Sequence, residues 1–256
     1  MRQAKTGWKW AIALFSLLLT VLIWQQGLQE SFERPSVAPK ISLMQTEMAV
    51  SASSSIPETI QDVFLGSEPQ EKLYQALKKI PLDKQNFIRQ EITGCPKEVA
   101  LIDALNSISN KALFPIKSAI FDSLSELRWR IDAGVFYERG CGIGSEYLKG
   151  NMHTELVGPI NGNFSFGSLR LGLFFLESNI FYTDHKHRPP ELYLNLTSGT
   201  HWRFNCAEWE EKLSGSIVYN EPYKVHAMRV KETPFLSVWC WPNYSSEKCI
   251  IVPCKF

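Results

Sequence analysis

Along the chain the spacing of apolar positions changes twice. The residues WAIALFSLLLTVLIW, from Trp10 to Trp24, run without a charge, and none follows until Glu30. From 58 to about 130 the apolar positions recur at helical spacing: Leu73, Leu77 and Ile80 fall on one face, as do Leu101, Leu105 and Ile108. Gly94, Pro96 and Pro115 break this region, which predicts three or four helices with core stripes. From about 153 the period becomes two. Leu169, Leu171, Leu173 and Phe175 alternate with Arg170, Gly172 and Phe174. Leu192, Leu194 and Leu196 alternate with Glu191, Tyr193 and Asn195. Turn residues at Gly158-Pro159, Asn161-Gly162 and Ser198-Gly199 separate the runs, so this half predicts an antiparallel sandwich or barrel. There is no strand–helix–strand alternation and no Gly-rich phosphate loop, which disfavours dinucleotide and P-loop chemistry.

These patterns divide the chain into four parts. Residues 1–29 read as a signal anchor or signal peptide, because Arg2, Lys5 and Lys9 precede an uncharged stretch near the ~20 residues a spanning helix needs. Trp8, Trp10 and Trp24 sit at its ends, as interfacial aromatics do. An uncleaved anchor is favoured over a cleaved peptide, since Ser36-Val37-Ala38 is followed directly by Pro39. The basic flank stays inside, so the expectation is a membrane-anchored, or alternatively secreted, protein with an extracytoplasmic body. Residues 30–57, with their prolines and serine run, read as a flexible tether, 58–130 as the helical region, and 131–256 as the β domain.

Composition narrows the function classes. The 256 residues are 45% hydrophobic and 21% charged, an ordinary globular balance with room for a full core. A net charge of +1 gives no basic field, so nucleic acid is not an expected partner and a small molecule is. The six cysteines, Cys95, Cys141, Cys206, Cys240, Cys249 and Cys254, suit an oxidising compartment, but their pairing does not follow from spacing. No CxxC pair occurs. Sequons at Asn163, Asn195 and Asn243 could carry glycans.

The candidate chemistry lies in DHKHRPPELYLNLTSG, residues 184–199. In extended chain alternate residues share a face, so His185 pairs with His187, and Glu191 with Tyr193. Facing a barrel interior, they would bring two imidazoles, a carboxylate and a phenol into one pocket, and a buried Glu191 would be costly unless paired or bound to metal. His226, in EPYKVHAMRV, could join from a later strand. Such a set suits one divalent transition metal ion, Fe, Zn, Mn, Co or Ni. A pair of surface histidines beside a turn is the competing reading. His153 and His201 have no such company and read as structural or surface residues.

The pattern HxH, three residues, ExY and a distant histidine resembles the motifs of the cupin barrel. More narrowly, the chain resembles the cupin-type dimethylsulfoniopropionate (DMSP) lyases over about 126–243. The resemblance runs through LRWR at 127–130, ELVGPI at 155–160, YTDHKHRPPELYLNLTSGTHWRF at 182–204, VHAMRV and TPFLSVWCWP. It implies a mostly β, cupin-type double-stranded β-helix (jelly-roll barrel) behind a small helical region. It implies metal ligands at His185, His187, Glu191 and His226, a catalytic base at Tyr193 and a second pocket tyrosine at Tyr182. The implied reaction is a metal-dependent β-elimination that splits a small sulfonium carboxylate into dimethyl sulfide and acrylate. The sulfonium should rest on aromatic faces, for which Trp202, Trp209, Trp239 and Trp241 are candidates. Another cupin enzyme, a dioxygenase or isomerase, and a membrane-tethered cupin that only binds a ligand are the alternatives.

Overall fold

The computed structural model describes residues 88, 91 and 94–254, except 166, 168, 244 and 253. The expected membrane segment, the tether and the face of Leu73, Leu77 and Ile80 lie outside the described residues. No helix among the described residues is long and apolar enough to cross a membrane.

Helix α1 (Glu98–Ser107) buries Leu101, Ala104 and Leu105, the expected one-face stripe. A 3₁₀ turn at Lys111–Leu113 follows, capped by the Asn110 side chain, which accepts from the Ala112 N–H at 3.1 Å. It runs into α2 (Phe114–Ser123). Pro115 was expected to break the helical region. Instead it lies in the first turn of α2, where the backbone N–H it lacks would have had no intrahelical partner. A third helix, α3 (Ser145–Gly150), falls inside the stretch assigned to the β domain.

The strands are β1 (Asn151–Val157), β2 (Arg170–Leu176), β3 (Phe181–Lys186), β4 (Glu191–Asn195), β5 (Thr200–Phe204), β6 (Glu210–Lys212), β7 (Ile217–Asn220), β8 (His226–Val230), β9 (Phe235–Trp241) and β10 (Ile250–Ile251). They form two antiparallel five-stranded sheets, ordered β1-β2-β9-β4-β7 and β10-β3-β8-β5-β6. The period-two pattern sorts the first sheet's side chains. Leu171, Leu173, Phe175, Leu192 and Leu194 join Leu101, Leu105, Ile116 and Ile120 of the helices in one core. Phe174, Tyr193 and Trp239 face the other way and pack with Tyr182, Trp202 and Met228 of the second sheet. At about 1.5–3 kcal/mol per fully buried large apolar side chain, each layer supplies a substantial share of the folding energy. Gly172 lets β1 approach β2, because a Cβ there would lie 2.0 Å from the Thr154 carbonyl oxygen.

One irregularity decides the site. On β3, Tyr182 pairs with Met228 and His185 with His226, so three steps along β3 match two along β8. Residues three apart normally point to opposite faces. The extra residue, a β-bulge, turns Tyr182 and His185 to the same side. Asp184 is buried in the β3–β5 sheet against Arg203, whose Nε donates to Oδ1 at 2.9 Å and whose guanidinium makes a second bond to Oδ2. Removing one partner of such a buried pair typically costs about 3–5 kcal/mol, so this pair locks the segment that carries His185.

A disulfide joins Cys206 to Cys254, and Cys95, Cys141, Cys240 and Cys249 are free thiols. The glycan expectation needs correction at two sequons. Asn163 and Asn195 are buried, while Asn243 is exposed.

Candidate metal and catalytic centre

His185 and His226 face each other across the β3–β8 ladder, with ring centroids 4.2 Å apart. His187 stands just beyond the end of β3, its ring 5.0 Å from that of His226. A ligand nitrogen from each of the three lies within 4.8 Å of the others. Glu191 reaches the same point from β4 in the facing sheet. Its Oε2 is 3.1 Å from His187 Nε2 and 3.6 Å from His226 Nε2. All four side chains are buried.

Each imidazole is aimed in the same way. Nδ1 of His185 lies 2.8 Å from the Thr183 carbonyl, that of His187 2.8 Å from Pro189, and that of His226 2.9 Å from Lys224. A carbonyl only accepts, so each Nδ1 carries the proton and each Nε2 offers a lone pair. Three lone pairs and a carboxylate therefore converge on one point, and His226 Nε2 has no hydrogen-bond partner there. Acceptors crowded together need a cation between them. Burial alone would lower the basicity of His187 and raise the Glu191 carboxyl. Their mutual attraction outweighs it, so the imidazole is pushed up and the carboxyl is held well below its usual range. Burial and the two neighbouring imidazoles keep His185 neutral. The donor set fits a divalent transition metal, which would take the place of the proton shared between His187 and Glu191. Asn220 and Trp241 hold the carboxylate, donating to Oε2 at 3.0 Å and to Oε1 at 2.7 Å.

Beside this cluster lies a cavity of about 60 Å³ lined chiefly by aromatic rings. Tyr193 follows Glu191 on the same face and packs on Trp202 at 5.0 Å. Burial, and then the Glu191 charge, push its phenol well above the ordinary value. Tyr182 stacks on His185 at 4.2 Å, and on its other flank Tyr147 stacks at 4.2 Å. The Tyr182 hydroxyl is hydrogen-bonded to that of Tyr137, and Tyr147 donates to Asp132 Oδ2 at 2.9 Å. All the expected site residues thus meet in one place: His185, His187, Glu191 and His226 around a point, Tyr193 and Tyr182 beside it.

The aromatic candidates divide. Trp239 and Trp241 line the cavity. Trp202 is fully buried beneath Tyr193, and Trp209 packs on Arg203 and Arg229 away from the cavity. His153, expected to be structural or at the surface, lines the cavity as well, and burial, with Arg170 and Arg130 nearby, lowers its pKa to about 4. His201 sits on β5 with no part in the site. Sequence reasoning did not single out Asp132, Tyr137, Tyr147 or Arg170. Only Arg170 left a signal, a charge inside the apolar run LRLGLFFL.

A family model described as dimethylsulfoniopropionate lyase matches residues 72–237, more than half of the sequence. The chain belongs to the DMSP lyase family. The expected carbon–sulfur lyase class and the resemblance to the DMSP lyases therefore stand. Among solved structures, the DMSP lyase DddQ from Ruegeria pomeroyi DSS-3 is 19% identical, covering 73% of this chain and 98% of its own, with a TM-score of 0.52. A chain from the crystal structures of the DMSP lyases RdDddP and RnDddQII is 17% identical, covering 72% and 95%, with a TM-score of 0.53. At these identities the likeness speaks for the shared fold. No curated protein matches the chain.

Proposed function

We propose that this protein cleaves DMSP to dimethyl sulfide and acrylate by β-elimination, with a divalent metal at His185, His187, Glu191 and His226 and Tyr193 as the base. The observation that carries this is the meeting of three Nε2 lone pairs and a carboxylate next to a phenol, in a small aromatic cavity of a DMSP lyase family member. When bound, the cation would act as a Lewis acid toward the substrate carboxylate and favour the phenolate of Tyr193. Tyr193 removes the proton from the carbon next to the carboxylate. The electron pair forms the carbon–carbon double bond as the carbon–sulfur bond breaks, and the sulfide leaves neutral. Phe174 and Tyr193 are the rings left for the sulfonium, because Trp239 and Trp241 already carry the Arg170 guanidinium at 5.2 and 5.5 Å and Tyr182 is stacked on both faces. Stacking between His185 and Tyr147 keeps the Tyr182 ring upright against the substrate. Metal-loaded protein given DMSP should release dimethyl sulfide into the headspace without consuming oxygen. Oxygen uptake, or metal binding with no sulfide, would sink this reading.

We propose also that the β domain lies outside the cytoplasm. The basic flank before the uncharged N-terminal run supports this, as does the Cys206–Cys254 bond, which an oxidising compartment permits. In sealed inside-in vesicles, external protease should remove a C-terminal tag. A tag digested only after the vesicles are opened would reverse the assignment.

A further inference from the structure

A second pocket of about 300 Å³ adjoins the catalytic cavity. The two spaces have Phe136, His153 and Arg170 in common, so these side chains form the wall between them. We propose that this pocket is the chamber through which the zwitterionic substrate reaches the catalytic cavity, its carboxylate taken first by Arg130 and then by Arg170. The inference rests on the lyase reading for the identity of the substrate.

The chamber offers both signs of charge at its floor and an apolar mouth. Ile131, Val135 and Ile160 form the mouth and are 44%, 61% and 72% exposed, an apolar rim with no partner among the described residues. Arg130 is half-buried, and its guanidinium makes a long 3.4 Å bond to the Asn161 carbonyl. With five N–H donors in a fixed fork, it retains the geometry to receive a carboxylate. Glu155 is buried. Its Oε2 accepts from Arg170 at 2.6 Å, while its Oε1 has no hydrogen-bond partner. Oε1 is shielded from solvent beside Gly158, so the charge that an entering carboxylate meets first is that of Arg130.

The wall is thin and aromatic. Phe136 meets His153 edge-on at 5.9 Å and Trp241 at 6.3 Å, and Arg170 lies over its ring at 5.1 Å. Phe136 sits in the segment between α2 and α3, with its carbonyl held by the Cys249 N–H at 2.8 Å. Its backbone is tied but its side chain is only half-buried, so rotation of the ring joins the two spaces without moving a strand. Arg170 belongs to both, so the carboxylate passes from Arg130 to Arg170 to the histidine cluster without losing a cationic partner. A desolvated carboxylate without one would be costly.

The test uses the full-length, metal-loaded chain and β-alanine betaine, which carries trimethylammonium in place of the sulfonium and so cannot expel a sulfide. Binding is followed by stopped-flow tryptophan fluorescence. A route differs from a binding site in that blocking it slows arrival and departure alike. Ile160→Trp should lower the association and dissociation rate constants together, by roughly tenfold or more, with Kd unchanged. Arg130→Met should lower association by roughly tenfold at low ionic strength, and the gap should close as salt rises. Unchanged rates in Ile160→Trp overturn the proposal, as does weaker affinity from faster dissociation alone. Failure of the lyase reading shows separately, as no dimethyl sulfide from a wild type whose betaine kinetics still respond to Ile160→Trp. A wild type that releases the sulfide, with an Ile160→Trp variant whose rates are unchanged, overturns the chamber alone.

Discussion

Glu191→Ala and His226→Ala should each strip most of the metal from the protein and abolish turnover. Both residues contribute to the converging acceptors, and they come from different sheets. Removing His226 takes away one of three aimed Nε2 lone pairs, and removing Glu191 takes away the charge that offsets the cation. Disturbing residues that merely support a metal's ligands costs about 10–100-fold in affinity, so loss of a ligand itself should exceed that range. Glu191→Ala also strands two buried donors, on Asn220 and Trp241, so some loss of stability is expected with it. Glu191→Gln separates the two effects, since it keeps the size and an acceptor oxygen while removing the charge. It should fold with a melting temperature near wild type and still bind metal poorly. Elemental analysis after dialysis is the readout. If His185→Ala/His187→Ala keeps a full equivalent of metal, the centre has been placed wrongly.

The parts of this centre that the sequence discloses are the local ones. His185, His187, Glu191 and Tyr193 lie within nine residues of extended chain, and alternation alone puts each pair on one face. The leucines of β2 and β4 were legible for the same reason, since a leucine-lined face against the helices alternates with a face that carries Phe174 and Tyr193 into the second core. Tyr182 was reachable only through the family resemblance, because it lies three positions from His185 and plain alternation sends it to the opposite face. The bulge that corrects this is a mismatch between two strands, and neither strand's own pattern contains it. Asp132, Tyr137 and Tyr147 reach the cavity from the segment between α2 and β1, by tertiary approach rather than by any period. Pro115 misled because one residue type both ends and begins helices, and only the position of the turn decides which. Trp209 misled because an aromatic ring on a mostly β chain is equally at home over arginines, here the buried Arg203 and the exposed Arg229.

Tyr193→Phe should leave the fold and the metal in place and lower turnover by roughly 10²–10⁴, the usual cost of losing a general base. The substitution deletes one oxygen. The ring keeps its contacts with Trp202 at 5.0 Å and Phe174 at 6.2 Å, so packing offers no reason for a large effect. Glu191 keeps its bonds from Asn220 and Trp241, so the metal ligands remain oriented. The loss should fall on kcat, because the phenol's part lies in taking a proton rather than in holding the ground state. Tyr182→Phe is the matched control. Its hydroxyl is engaged with Tyr137 rather than with the histidine cluster, and its ring remains stacked between His185 and Tyr147. A smaller loss, shared between kcat and KM, is expected there. Near wild-type turnover in metal-loaded Tyr193→Phe, together with collapse in Tyr182→Phe, would move the base to Tyr182. The Tyr137 hydroxyl would then donate the hydrogen bond that stabilises the Tyr182 phenolate.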